Sequence, residues 1–266
     1  HYPLRRQRQM CIRDRFGSMH RMLRIVCLFV LGLSTCRAEA HFALPSSCRQ
    51  CILGIAPDWN SSSVTLSFFE RASAQQPWQL TLKPWTARIG KNGLVWGLGL
   101  HPLARNASIK REGDGRAPAG VFSLGDAWGH AASIAKQPSM RYHIVTTRDL
   151  WIDDPQSPLY NHHYKLGHEP ISAWELKQQM KQNDPAHALK LFIAHNASTP
   201  IQPGRGSAIF FHIWRRDGLA ASAGCTTMAP AMLATMIRRL DPQQQPLYVL
   251  LPAGEYQARK NAWKLP

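Results

Sequence analysis

Residues Ile209–Met228 constrain the chain most, because they combine a buried strand, a polar loop and a glycine–cysteine turn in one short stretch. The apolar run Ala208–Ile213 predicts a strand that His212 closes. Cys225 follows thirteen positions later, and Gly224 before it lets the backbone turn sharply. A thiol and an imidazole joined by a short loop can meet in space, so the stretch predicts a nucleophile and base for acyl transfer.

This stretch resembles the catalytic motif of the L,D-transpeptidases, the YkuD-type domain, in which a histidine precedes a Ser/Thr-His-Gly-Cys segment at a short interval. The matching positions are His212, Ser222, Gly224 and Cys225, while Ala223 stands in place of the family's second histidine. The resemblance implies that Cys225 is the nucleophile and His212 the base.

Three further segments are similar to the family or to one of its branches. They are Lys110–Phe122, Trp151–Asn161 and Gly90–Pro102, and the likeness spans roughly residues 80–252. Thr226-Thr227 is a departure, since the family usually has an arginine or asparagine neighbourhood there. The resemblance implies a mainly β or α+β fold, an L,D-transpeptidase-like β-sandwich with two or three peripheral helices.

The resemblance also implies a reaction, in which Cys225 attacks the carbonyl between an L-centre and D-alanine in a peptidoglycan stem peptide. The carbonyl of Ile213 would orient the imidazole of His212, and the N–H groups of Gly224 and Cys225 would bind the oxyanion. A helix is expected directly after Cys225, and its positive N-terminal end would favour the thiolate.

The acyl acceptor is left open by the sequence. An amine of another stem, an amine of a wall-linked protein, or water would each release the acyl group, and water would make the protein an L,D-carboxypeptidase. The absent second histidine keeps open a cell-wall-binding module without turnover. A general cysteine peptidase is a further alternative, although Gln-Ala-Cys or Cys-Gly-x-Cys surroundings are missing.

Several residues outside the nucleophile and base are expected to contact or support the substrate. Arg215, beside the loop, could hold a carboxylate, or it could be a solvated loop residue. His195, at a predicted strand end, could face the site or be structural. Together with these two, the expected substrate-binding residues are Ser222, Arg116, Asp154 and Asn161.

No metal and no cofactor are expected. The Asp153-Asp154 pair lies near His162, His163 and His168, but this spacing matches no zinc pattern, and carboxylates in loops often form turns.

The first forty residues are expected to be absent from the functional protein. His1–Ser18 reads as a non-native leader, and Met19–Ala40 as a secretory signal peptide, with an apolar run at Ile25–Leu33 and an A-x-A site at its end. Lipid attachment at Cys36 is the alternative. We therefore expect one catalytic domain at residues 41–266, with its core at about 64–252, in the periplasm or cell wall, and membrane contact only through the signal peptide.

The net charge points to an anionic partner. The formal charge of +16 falls to +10 for residues 41–266, because the first forty residues hold eight arginines and two acids. Peptidoglycan fits an exported protein, and no nucleic-acid motif is present. Cys48 and Cys51 are expected to form a disulfide in an oxidising compartment, a redox pair or free thiols being the alternatives.

Local patterns predict the remaining elements. Strands are expected at Val64–Glu70, Trp78–Leu82, Lys190–His195 and Leu247–Leu251. A capping box at Ser172 predicts a helix to about Gln182. The helix after Cys225 would bury one apolar face, made of Met232, Leu233, Met236, Ile237 and Leu240.

Overall fold

The computed structural model describes residues 42–266, so the predicted leader and signal peptide lie outside the described residues. The described part is mainly β, as predicted. Its helices are α1 (Ala173–Gln178), α2 (Pro230–Arg239) and α3 (Ala253–Arg259), with 3₁₀ turns at Pro185–His187, Arg216–Gly218 and Pro242–Gln244. Its strands are β1 (Gln50–Ala56), β2 (Ser63–Glu70), β3 (Gln79–Arg88), β4 (Leu94–Trp96), β5 (Ala117–Gly129), β6 (Tyr142–Ile144), β7 (Asp149–Trp151), β8 (His163–Lys165), β9 (Leu189–Ile193), β10 (Phe210–Ile213), β11 (Thr226–Met228) and β12 (Leu247–Pro252).

Most of the strands join one sheet that closes on itself. The order along it is β12, β1, β2, β3, β11, β10, β9 and β5, and β5 pairs back with β12. β1 runs parallel to β12, and β10 runs parallel to β11. β4 and β6 attach to β5, while β7 and β8 pair with each other in a separate small sheet. The closed path protects the strands of the ring from edge-to-edge association.

Alternating apolar side chains fill the interior of the sheet, because successive residues of a strand point to opposite faces. Phe211 of β10 and Tyr248 of β12 are fully buried there, with ring centroids 4.6 Å apart. α2 adds the predicted apolar face, of which Leu233, Met236 and Ile237 are buried. Each such side chain stabilises the fold by roughly 1.5–3 kcal/mol. This core holds β9 and β10 in place beneath the candidate site.

The helix predicted from the capping box is present but shorter than expected. The Ser172 hydroxyl accepts from the N–H of Glu175, and the Glu175 carboxylate accepts from the N–H of Ser172. The helix ends at Gln178, about one turn early. Gln179 is extended and bridges to Leu150 of β7, so tertiary pairing replaces the last predicted turn.

Cys48 and Cys51 are free thiols in the structure, not the expected disulfide. The Cys51 side chain points from β1 into the core, and the Cys48 thiol donates to the carbonyl of Gln50 at 3.3 Å. Burial raises the pKa of Cys48 to about 11 and also raises the pKa of Cys51. Both behave as small apolar core residues.

Across residues 42–266, none of the helices combines the length and the apolar character needed to cross a bilayer.

Candidate active site

Cys225 is positioned by the parallel pairing of β10 with β11. Phe211 is the partner of Thr226, so Cys225, directly before β11, lies beside Phe210. The N–H of Phe210 donates to the Cys225 sulfur at 3.4 Å, and the thiol donates to the carbonyl of Ala208, also at 3.4 Å. Cys225 is partly buried as a residue, in contrast to the buried Cys48 and Cys51, and it lines a cleft. The backbone before β10 therefore fixes the orientation of its sulfur.

A compact turn presents Cys225. The Ser222 hydroxyl donates to the Cys225 carbonyl at 2.6 Å and accepts from the N–H of Gly224 at 3.0 Å. Gly224 has φ +154°, and a Cβ there would lie 2.9 Å from the carbonyl oxygen of Arg116, so only glycine fits without a shift. Ser222 is buried and serves this turn, so its expected contact with substrate does not fit the structure.

The turn also changes the expected oxyanion site. The N–H of Gly224 is taken by Ser222 and is not available to an oxyanion. The N–H of Cys225 has no acceptor among residues 42–266, so it remains the donor that can serve that role.

His212 lies in β10 and is almost completely buried. Its Nδ1 donates to the carbonyl of Ile213 at 2.8 Å, which is the contact expected from the sequence. A carbonyl only accepts, so Nδ1 carries the proton and Nε2 is bare in the neutral ring. Burial lowers the pKa of His212 to about 4, against the opposing effect of the Ile213 carbonyl. The imidazole is therefore neutral near pH 7 and able to take a proton at Nε2.

Cys225 and His212 line one narrow cleft of about 110 Å³. No hydrogen bond joins the two side chains in the described part of the chain, where the Cys225 sulfur contacts Ala208 and Phe210 instead. The cleft therefore brings a thiol and an imidazole together without a preformed ion pair.

Opposing effects set the charge of the thiol. Burial raises the pKa of Cys225, while the Phe210 N–H and the positive charges of Lys110, Lys190 and Arg215 lower it, and the net direction is upward. The resting site is thus a neutral thiol beside a neutral imidazole. In such a pair the base removes the proton as the sulfur attacks.

A family model for the L,D-transpeptidase catalytic domain (YkuD) matches residues 74–249. The chain belongs to the L,D-transpeptidase catalytic-domain family. No curated protein and no solved structure matches the chain. The family assignment supports a catalytic function of the L,D-transpeptidase type.

One expectation for Cys225 in this L,D-transpeptidase domain was wrong. Cys225 is followed by β11, and α2 begins only at Pro230. The partial positive charge of a helix falls off within its first turn, so α2 does not favour the thiolate. Lys110, Lys190 and Arg215 supply the positive potential instead.

Sequence reasoning missed two residues of the cleft, Lys190 and His187. Lys190 of β9 is the cross-strand partner of His212. The ring of His187 stacks on that of His212, with centroids 5.0 Å apart and planes at 22°. Lys190 could have been found, because it is a lysine inside an otherwise apolar strand. His187 lies in a 3₁₀ turn that no sequence pattern indicated.

Arg215 is anchored, and Asp154 is used for local structure. Arg215 donates from Nε to the Asp184 carboxylate at 2.5 Å, and its Nη2 donates to Nε2 of His187 at 3.0 Å. Asp154 accepts from the backbone N–H of Gln156 and from the indole of Trp174. The neighbouring Asp153, not Asp154, lines the cleft.

Asn161 and His195 are buried structural residues, so their expected contact with substrate does not fit. Asn161 donates to the carbonyls of His195 and Asn196, and its Oδ1 accepts from the N–H of Ala208 at 3.0 Å. Because the Cys225 thiol donates to the carbonyl of Ala208, Asn161 supports the position of Cys225 indirectly, through Ala208. His195 bonds through both ring nitrogens, to the N–H of Leu98 and to the carbonyl of Arg205.

Arg116 lies behind the Gly224 turn. Its guanidinium donates to the carbonyl of Leu94 at 2.9 Å, and its own carbonyl accepts from Lys110 at 2.7 Å. Lys110 also pairs with Asp114 at 2.7 Å. This network supports the turn from beneath, and the one described hydrogen bond of the Arg116 guanidinium does not involve the cleft.

No cluster of three or more His, Cys, Asp or Glu side chains within residues 42–266 has a geometry that could hold a metal ion.

Proposed function

We propose that this protein is an exported cysteine acyltransferase that carries out L,D-transpeptidation of peptidoglycan stem peptides. The observation that carries the proposal is the partly buried Cys225 in one cleft with a neutral His212, whose Nδ1 is committed to Ile213. Membership of the L,D-transpeptidase family supports peptidoglycan as the substrate.

The chemistry proceeds in two balanced steps. Nε2 of His212 takes the thiol proton while the Cys225 sulfur forms a bond to the carbonyl carbon that precedes D-alanine. The N–H of Cys225 stabilises the oxyanion, the C–N bond breaks, and His212 returns the proton to the departing amine. An acceptor amine then attacks the thioester carbonyl carbon and loses a proton to His212, the C–S bond breaks, and His212 passes the proton to the departing Cys225 sulfur.

The acceptor decides which product forms. An amine of a second stem gives a cross-link, and an amine of a wall-linked protein gives a protein–wall bond. Water at the same thioester would give L,D-carboxypeptidase activity from the same residues.

A catalytically silent wall-binding module is the second candidate. Two observations favour it: Ala223 in place of the family's second histidine, and the absence of a hydrogen bond between Cys225 and His212 in the described residues. Under this alternative the cleft and the net charge of +10 would serve binding alone.

We place the functional protein in the periplasm or cell wall. The signal-like Met19–Ala40 supports export, with a mature N-terminus near His41. N-terminal sequencing of the native protein from a wall-facing fraction checks this. Native protein in the cytosol that retains Met19–Ala40 would contradict it.

Mass spectrometry tests the enzymatic proposal directly. Mature protein incubated with a defined tetrapeptide stem should gain the mass of the acyl group on Cys225, with release of D-alanine. Adding an amine acceptor should then clear the adduct. No adduct with any stem, combined with binding to purified sacculi, would favour the silent module.

A further inference from the structure

A buried ammonium lies beside the two reacting side chains. Lys190 of β9 is the direct cross-strand partner of His212 on β10. Residues directly opposite each other on antiparallel strands share a face, with Cβ atoms about 4.5–5.5 Å apart. Lys190 is 4% exposed and lines the same cleft as Cys225.

The charge of Lys190 lacks a compensating acid. Its Nζ donates to the carbonyl of Met180 at 2.9 Å, and no carboxylate of residues 42–266 forms a salt bridge with it. Burial lowers the pKa of Lys190 to about 8, so the ammonium is still substantially charged near pH 7. A buried charge without a counter-ion is costly, so a site that keeps one is suited to an incoming anion.

Gln178 supplies a second unused donor in the same cleft. Its side chain is 3% exposed, and its Oε1 accepts from the N–H of Asp153 at 2.7 Å. This contact fixes the amide orientation, and the buried Nε2 then has no acceptor within the described residues. Among the residues that line the cleft, Lys177 and Lys190 outnumber the single acid Asp153.

We propose that Lys190, assisted by Gln178, binds the free α-carboxylate of the amino acid that leaves when Cys225 is acylated. This inference rests on the proposed function. The leaving residue follows the attacked carbonyl directly, and an extended chain advances roughly 3.3–3.6 Å per residue. Its carboxylate therefore falls among the neighbours of Cys225 and His212.

Two acyl donors test the inference in the unaltered protein. One is a tetrapeptide stem with a free C-terminal carboxylate, and the other is the same stem as its C-terminal carboxamide. The kcat/KM for Cys225 acylation should favour the free acid on the order of 10- to 100-fold, as expected for a hydrogen bond to a charged group. Equal values for the two donors would overturn the inference.

Variants assign the preference to Lys190. In Lys190→Met the preference should vanish: acylation by both donors falls to the extent that Lys190 lowers the pKa of the Cys225 thiol, and acylation by the free acid falls by a further 10- to 100-fold, on the order of the preference that is lost. Lys190→Arg should retain part of the preference, and Lys181→Met, at an exposed lysine outside the cleft, should retain all of it. An equal fall for both donors in Lys190→Met, with unchanged thermal stability, would mean that Lys190 acts on the thiol or the oxyanion.

A binding measurement separates this inference from the proposed function. Cys225→Ala protein is titrated with the two peptides by calorimetry. If the wild type forms no adduct, the proposed function fails, yet tighter binding of the free acid that Lys190→Met abolishes would still support the carboxylate site. Equal binding of both peptides would overturn that site whatever the outcome of the acylation assay.

Discussion

The rings of His212 and His195 are alike in burial and pKa but differ in their hydrogen bonds. Both rings are buried, burial lowers the pKa of each to about 4, and each donates to a backbone carbonyl. The Nδ1 of His195 also accepts from the N–H of Leu98 at 3.1 Å, while its Nε2 donates to the carbonyl of Arg205 at 2.9 Å. Both nitrogens of His195 are therefore committed, whereas His212 forms one well-aligned ring hydrogen bond in the described residues, through Nδ1, and the Ala186 carbonyl makes only a weaker contact that slightly raises its pKa.

This difference teaches that a shifted pKa does not identify a base. The same burial that keeps His212 neutral also keeps His195 neutral, yet His195 joins two loops through its ring. A base needs a bare nitrogen that faces a cleft holding the group to be deprotonated. Of the two regions, the His212 region is the one that combines such a nitrogen with a thiol in the same cleft.

The largest effect should come from removing that thiol. In Cys225→Ser the alcohol has a far higher pKa than a thiol, so stem-peptide turnover should fall by at least about 10⁴-fold. Sedimentation with purified sacculi should remain unchanged, because the cleft and the surface charge are retained. Turnover that survives in Cys225→Ser would mean that the thiol beside His212 is not required, and the thiol would then no longer distinguish the His212 region from the His195 region.

Removing each histidine should affect a different property: acylation for His212 and stability for His195. His212→Ala should lower Cys225 acylation by about 10²–10⁴-fold, the usual share of a general base, and should preserve the fold. His195→Ala should leave acylation nearly unchanged in the folded protein. It should cost roughly 2–4 kcal/mol of unfolding free energy, because the Leu98 N–H and the Arg205 carbonyl lose their partner.

Acylation kinetics and denaturant unfolding, measured on both variants, check this pair. Equal losses of acylation in the two variants would mean that His212 is not the only base.

Much of this arrangement could be predicted from the sequence, because its signals are local. The apolar strand up to Ile213, the Gly-Cys turn and the spacing of His212 from Cys225 predicted that the thiol and the imidazole meet, and the two residues do line one cleft. The family resemblance implied the contact between His212 and the Ile213 carbonyl that the structure shows. The mainly β fold followed from strand patterns and from the family resemblance.

The rest depended on contacts between distant segments. β11 follows Cys225 because Thr226 pairs with Phe211, and a run of three residues is too short to be recognised as a strand. Asn161 looked accessible on a long loop, yet it is buried against Ala208. Lys190 became relevant only through the register that places it opposite His212.

Stability against pH should reveal the property that the two histidines share. Each has a folded-state pKa of about 4, below its ordinary value of 6.5. Between these values the unfolded chain binds a proton that the native ring does not. The unfolding free energy should therefore rise with pH across about pH 4–6.5, by up to about 1.4 kcal/mol per pH unit for each histidine. The contribution of each histidine to the unfolding free energy is fully present above about pH 6.5.

Unfolding titrations at several pH values measure this slope. His212→Ala and His195→Ala should each reduce this slope by the share of one proton, up to about 1.4 kcal/mol per pH unit. Of the two variants, His212→Ala alone is expected to affect catalysis. A slope that neither variant changes would show that other groups control acid unfolding.

The smallest effect on activity should come from changing Cys48 and Cys51. Like His195 compared with His212, they carry the same chemical group as a residue of the cleft, here the thiol of Cys225, but lie outside the cleft. They lie buried in a core cluster with Val249 and Trp263, where burial raises the pKa of both. Cys48→Ser with Cys51→Ser places two hydroxyls there and should cost roughly 1–3 kcal/mol for each one left unpaired. Cys48→Ala with Cys51→Ala avoids this penalty and should cost less.

Turnover of folded protein should match the wild type in both double variants, as measured by D-alanine release alongside thermal melting. A loss of turnover at unchanged melting temperature would mean that accessibility and a facing base do not explain why Cys225 is the reactive cysteine.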